Sequence, residues 1–242
     1  KFYQNFGRQL KVGCLNGYGA KRELLQDLLL FYSSTEKKLV TLAEYVDRMP
    51  ESQKVIYYAA GESAAAMDHL PQTELLRERN TEILYLTDQP DQLLMEILRE
   101  YKGKALRSAV DGELDLEDMP EKKEAGDHQE ALDFLKETLG ETVDEVRVSQ
   151  KLKTHPVCLT CGEGVSFEME RYFNSVQPEM GMKAKRILEL NVDHPAFESA
   201  RSADPERAKK YAQVLLNQAK LIAGLPIDDP SGYTDLLCSL WG

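Results

Sequence analysis

The most reactive side chains in this 242-residue chain are its four cysteines, at positions 14, 158, 161 and 238. Cys158-Leu159-Thr160-Cys161 has the two-residue gap of zinc knuckles and dithiol redox centres, which lets two thiolates reach one ion or each other. His155 stands nearby, but no second CxxC or His pair supplies the remaining ligands. The run from Pro156 to Thr160 also reads as a short buried strand, where cysteine acts as a small hydrophobe. That structural reading is preferred, and a redox or zinc module around Cys158 and Cys161 stands as the alternative. A second candidate, Gly61-Glu62-Ser63-Ala64-Ala65, begins like a nucleophile elbow but lacks the closing glycine. Ala59-Ala60-Gly61-Glu62-Ser63 is neither GxGxxG nor a phosphate loop, so an α/β enzyme is also kept only as an alternative. No catalytic residue and no metal ligand is assigned.

A different chemistry, adaptable apolar contact, is offered by Gly164 to Val176. Val165, Met169, Tyr172, Phe173 and Val176 fall at i, i+4, i+7, i+8 and i+11, with Phe167 on the opposite face. Such a stripe can be core or a contact surface, since methionine is flexible and aromatics supply area. The loop-like Gln177-Pro178-Glu179-Met180-Gly181-Met182-Lys183 that follows favours the contact surface.

These residues must be positioned by elements whose pattern changes along the chain. Phe2, Phe6 and Leu10 fall at helical spacing with no cap before them, so the chain is expected to open inside a helix, as an excised piece. Glu23 to Tyr32 reads as an amphipathic helix. Thr41 and Glu44 have capping-box spacing and predict a helix through Arg48. Lys54–Tyr58, Glu82–Leu86 and 104–110 read as buried strands, separated by helices over 61–70, 74–80 and 89–101. Alternating strands and helices predict a three-layer α/β domain with a parallel sheet, over residues 1–110.

Eight of the seventeen residues from Asp111 to Asp127 are acidic, and 111–126 is read as an acidic linker. Residues 127–242 then predict an α+β dimerisation domain ending in helices. It opens with a helix from His128 to Leu139 closed by Gly140. A half-exposed strand at Val143–Val148 is expected to pair with Pro156–Thr160. Arg186–Leu190 is a further strand, and Pro195–Ser202 a short helix.

The last forty residues carry two helices, each announced by an Asp-Pro pair. Asp204-Pro205 precedes Ala208, Tyr211, Ala212, Leu215, Leu216, Ala219 and Ile222; Asp229-Pro230 precedes Tyr233, Leu236, Leu237 and Leu240. A terminal helix of about ten residues does not hold itself together in water, so it must dock. Docking on its own core and pairing with a second copy are both open. The pairing residues would be Leu215, Leu216, Ala219, Ile222, Tyr233, Leu236, Leu237 and Leu240.

A net charge of −11 argues against nucleic acid and anionic membranes as partners. No apolar run approaches the ~18 residues of a membrane span.

Several stretches taken in order carry a resemblance. They are Phe2-Tyr3-Gln4-Asn5-Phe6-Gly7, Leu42-Ala43-Glu44-Tyr45-Val46-Asp47-Arg48-Met49 and Gln53-Lys54-Val55-Ile56-Tyr57-Tyr58, followed by Glu82-Ile83-Leu84-Tyr85-Leu86-Thr87-Asp88 and Glu189-Leu190-Asn191-Val192-Asp193-His194-Pro195. With Asp229-Pro230 before the last helix, these resemble the bacterial branch of the ninety-kilodalton heat-shock chaperone family over nearly the whole chain. The resemblance implies the later part of a middle domain followed by the carboxy-terminal domain of a cytoplasmic stress-response chaperone. It further implies a homodimer joined through the last helices and unfolded or partly folded client proteins as partners.

The resemblance implies client contact at Val165, Met169, Tyr172 and Phe173, and at a middle-domain patch near Gln92, Leu93 and Glu96. There the family pattern has an acidic residue and a Trp where this chain has Gln92 and Leu93. The resemblance also implies that ATP and Mg belong to a full-length parent, in an amino-terminal domain outside this chain, with the Arg that reaches the ATP phosphate expected before Lys1. This piece is therefore expected to hold no cofactor and to hydrolyse no ATP.

Overall fold

The computed structural model describes residues 2–88, 90–116, 123–162 and 164–241. In chain order the first half contains α1 (Phe2–Gly19), α2 (Arg22–Leu25), β1 (Leu30–Ser33), β2 (Leu39–Thr41), α3 (Leu42–Arg48), β3 (Val55–Ala60), α4 (Ala64–Asp68), α5 (Glu74–Glu78), β4 (Ile83–Leu86), α6 (Asp91–Leu98), β5 (Glu100–Tyr101) and β6 (Lys104–Ser108). The second half contains α7 (Gln129–Leu139), β7 (Glu145–Val148), β8 (Val157–Cys161), α8 (Phe167–Val176), β9 (Arg186–Leu190), α9 (Pro195–Arg201), α10 (Pro205–Ile222) and α11 (Pro230–Leu240). Two compact units result. One comprises Lys1–Leu70, Leu76–Met119 and Glu168–Met182; the other comprises Pro71–Leu75, Pro120–Phe167 and Lys183–Gly242. Part of the segment read as an acidic linker, residues 117–122, lies outside the described residues. None of the helices among the described residues is long and apolar enough to cross a membrane.

The first unit is α/β, built on a six-stranded sheet of order β2-β1-β4-β3-β6-β5. β3 runs parallel to β4 and to β6, with Ala60 beside Leu86 and Tyr58 beside Ser108. Val55 to Ala59 are all buried, as expected of a central strand covered on both faces. The sheet is nevertheless mixed and not all-parallel. β1 is antiparallel to both β2 and β4, and β5 folds back on β6.

The expected helix from Glu23 to Tyr32 is corrected accordingly. Helix α2 ends at Leu25, and Leu30–Ser33 is a strand. Phe31 and Leu29 are buried while Leu24 and Leu28 are exposed, so the apolar run obeys strand alternation near its end. Lys37, at φ 53°, closes the turn into β2. The expected helix over 89–101 stops at Leu98, where Arg99 takes φ 57° and Tyr101 enters β5. The capping box is present: Thr41 Oγ1 accepts from the Glu44 N–H at 3.1 Å, and the Glu44 carboxylate accepts from the Thr41 N–H at 2.7 Å.

The second unit is α+β. Its three-stranded sheet has the order β7-β9-β8, so β9 sits in the middle, parallel to β7 and antiparallel to β8. The expected pairing of Val143–Val148 with Pro156–Thr160 is therefore wrong: each pairs with Arg186–Leu190, a partner too far along the chain for local pattern to reveal. One face of the sheet is apolar, with Val157, Leu159, Leu188 and Leu190 packed against Leu132, Leu135, Phe197, Leu215 and Leu216. The other face carries the buried Glu189, which accepts from Arg147 at 2.6 Å, Ser149 at 2.9 Å and Thr160 at 3.2 Å. Four donors converge on Glu74 in the same unit: the Lys153 and Thr154 N–H groups, the Thr154 hydroxyl and His155 Nδ1. Burial works against ionising this carboxyl, but the donors outweigh it and hold its pKa down at about 2.

Candidate functional site

Within the first unit a groove of about 540 Å³ opens where the parallel strands β3 and β4 end. Carboxyl ends of parallel strands are a favoured place for ligands in open α/β sheets, because the loops diverge there. Ala60 and Leu86, side by side in the ladder, form its base, and Gly61 and Glu62 continue from β3. One wall comes from α1 through Arg8, Val12 and Leu15, and from α6 through Gln92 and Leu93. Helix α8 supplies the other wall with Met169, Tyr172 and Phe173.

Most of this lining is apolar and only partly covered. Leu93 and Tyr172 are each 42% exposed, and Met169 and Phe173 are half-buried. The Tyr172 and Phe173 rings meet edge to face, with centroids 5.5 Å apart. The α8 wall is also tied electrostatically: Arg171 pairs with Glu168 one turn earlier and reaches Glu62 at 3.5 Å. Burial pushes the Glu168 carboxyl up, with Arg171 acting against it. Such a surface has area, mobile sulfur and aromatic faces, and a charged rim. It suits adaptable binding of irregular apolar segments, and among the described residues it aligns no nucleophile with a base.

Under the groove lies an ion cluster with no sequence signature. Lys11 Nζ sits 2.7 Å from Asp88 and 2.7 Å from Asp91, and 5.0 Å from the centre of the Phe31 ring. Burial opposes the Lys11 charge, but Asp91 and Asp88 outweigh it and keep its pKa above the usual value. Burial also pushes Asp91 up to about 6, although Lys11 pulls the other way. The triad joins α1 to the start of α6, and so fixes Gln92 and Leu93 relative to Val12.

The residues expected to act together divide as follows. Gln92, Leu93, Met169, Tyr172 and Phe173 share the groove. Glu96 is exposed on α6 and absent from the lining. Val165 lies in the second unit, packed against its core. Arg8, Val12, Glu62 and Arg171 also line the groove and were not anticipated. The only local signal among them is Glu168-to-Arg171, an i,i+3 pair.

The helices read as a pairing surface also divide. Leu215, Leu216 and Ala219 are 3%, 3% and 0% exposed and belong to the core of their own unit, where α10 packs on β8. Their side chains are committed to packing within their own unit. Ile222, Tyr233, Leu236, Leu237 and Leu240 remain half-buried, with Leu221 and Trp241 exposed beside them. No residue of α11 is buried. Asp204 caps α10 by accepting from the Glu206 and Arg207 N–H groups, and Asp229 caps α11 by accepting from the Gly232 N–H.

Cys158 and Cys161 are both buried in β8, and a three-residue step along a strand sends them to opposite faces. Cys161 joins the apolar core, while Cys158 sits across the ladder from Glu189. Burial first, and Glu189 second, push the Cys158 thiol well up, which disfavours the thiolate needed for redox or metal chemistry. Among the described residues no three His, Cys, Asp or Glu side chains are grouped to hold a metal ion.

A family model described as Hsp90 protein matches residues 1–241. The chain is 47% identical to a chaperone protein HtpG of Clostridium acetobutylicum, 46% to that of Bacillus licheniformis and 44% to that of Halalkalibacterium halodurans. In each case 99% of the chain is matched, and it spans 39% of the relative's length.

Proposed function

This chain belongs to the Hsp90 protein family, and on that premise we propose that it is the client-holding and pairing part of a folding chaperone. The groove in the first unit carries the reading. It gathers Met169, Tyr172 and Phe173 with Gln92 and Leu93, side chains from distant parts of the chain, into one partly exposed apolar surface. An apolar surface of this kind with a charged rim marks an interaction site more often than a catalytic one. Its occupants are apolar segments of unfolded or partly folded proteins.

Pairing of two copies is assigned to α11 with the end of α10. Tyr233, Leu236, Leu237, Leu240 and Ile222 are left half-covered by their own unit, and Leu221 adds exposed area. This homodimer would bring two client grooves into one assembly. The acidity of the chain, net −11, keeps nucleic acid and anionic membrane out of its partner list. Nucleotide handling, with ATP and Mg, is assigned to the parts of the relatives that this chain does not span, and the chain itself is read as non-enzymatic, holding no cofactor and working in the cytoplasm.

Client binding is tested by fluorescence anisotropy with a labelled, permanently unfolded protein. Met169→Ser combined with Phe173→Ser should weaken binding at least about ten-fold, as loss of two apolar contacts of ~1 kcal/mol or more each requires. Unchanged affinity in a folded double variant would remove the reading.

A further inference from the structure

A second groove, of about 350 Å³, lies wholly within the carboxy-terminal unit between α7 and the α9–α10 corner. Phe134, Leu135 and Phe197 form its apolar floor, and Ala200 and Ala208 keep it open because their side chains end at Cβ. Its size is at the low end for ligand pockets: room for a bulky apolar side chain and its neighbours, too little for a folded surface.

The mouth has a definite sign. Asp127 and Glu130 border it one turn apart, and neither side chain makes a hydrogen bond or ion pair among the described residues. Arg201 also lines it, but its guanidinium is occupied by Glu198 at 2.9 and 3.1 Å. Acidic residues at the start of α7 are explained by the helix dipole alone. An apolar slot left open beside them, on the same helical face, is not.

We propose that this groove docks a basic amphipathic segment of a partner protein, seating one large apolar side chain on Phe134, Leu135 and Phe197 while Lys or Arg a turn away meets Asp127 and Glu130. Helix-in-groove recognition uses this i, i+3, i+4 spacing. A second copy of this chain is a poor occupant, because at net −11 each copy repels an acidic mouth. The site is separate from the client groove and shares no residue with it.

The test is fluorescence anisotropy at low salt on the full chain, using a labelled amphipathic helix of Leu and Lys as the probe. Its twin with Glu in place of Lys is the control. The Lys peptide should bind at least about ten-fold more tightly than the Glu peptide. Two groove variants should each weaken the Lys peptide about ten-fold: Ala131→Trp, which fills the slot, and the exposed pair Asp127→Lys with Glu130→Lys, which reverses the mouth without touching the core. Met169→Ser with Phe173→Ser should leave this affinity unchanged. Equal binding of both peptides, wild-type affinity in both folded groove variants, or a loss confined to the Met169 and Phe173 variant would each overturn the proposal, the last by showing that the probe is held as a client.

Discussion

Lys11 Nζ lies 2.7 Å from Asp91 Oδ1, with the two side chains only 4% and 2% exposed. Removing one member of such a pair leaves a buried charge without its counter-ion, which costs about 3–5 kcal/mol. Lys11→Met should therefore lower the unfolding free energy of the first unit, read from urea denaturation, by that amount. Lys11→Met with Asp91→Leu should recover most of the loss, since apolar replacement of a whole buried pair is often neutral. A single variant as stable as the parent chain would show that the pair contributes nothing.

Glu74 gives the second unit an acid-sensitive tie. Its carboxyl is held at about 2, below the ordinary 4.5, so it stabilises the folded form above the unfolded value. That contribution is complete above about pH 4.5 and fades as the pH falls toward 2. Thermal melts across this range should show Glu74→Gln with a flatter acid limb than the parent chain. Glu74→Ala, which strands the Lys153 and Thr154 N–H groups, should cost about 1–3 kcal/mol at neutral pH.

Leu216 and Leu236 belong to adjacent helices but should fail in different ways. Leu216→Ala opens a cavity in the unit's own core and should cost about 2–5 kcal/mol of stability. Leu236→Ser with Leu240→Ser touches no buried residue and should leave the melting curve nearly unchanged while weakening self-association. Sedimentation equilibrium separates the two; a double variant that associates as the parent does would place pairing elsewhere.

Thiol labelling should distinguish the four cysteines sharply. Cys14, Cys158 and Cys161 are buried, and burial pushes the Cys14 and Cys158 thiols up; Cys238 is exposed on α11. Under native conditions one thiol per chain should react rapidly with an aromatic disulfide reagent, and Cys238→Ser should abolish that phase. Rapid reaction of a second thiol would contradict the packing of β8 or α1.

Features written locally were the ones legible in the sequence. Thr41 and Glu44 announce α3, and Asp204-Pro205 and Asp229-Pro230 announce the last two helices, because a cap needs only its own turn. β3 and β4 were readable as apolar runs rich in β-branched and aromatic residues. Strand order in the sheets was not, since the neighbours of Arg186–Leu190 are decided by packing far from it in sequence. The Glu23–Tyr32 stretch was misread because Leu24, Leu25, Leu28 and Leu29 satisfy a helical period that pairing with β2 and β4 overrides at Leu30. In the groove, the Met169, Tyr172 and Phe173 stripe was visible as a pattern. What faces it was not, and nothing in the sequence around Lys11 gave warning that Asp88 and Asp91 would meet it.

The two walls of the first unit's groove are separated in chain order by every strand of the second unit's sheet but β9. During synthesis α1, β3, β4 and α6 leave the ribosome well before Met169, Tyr172 and Phe173 exist. Until α8 emerges, Val12 and Leu93 face solvent on an unfinished surface, so a nascent chain is itself a candidate for assistance at that stage. Translation pauses placed before residue 167 would prolong this window.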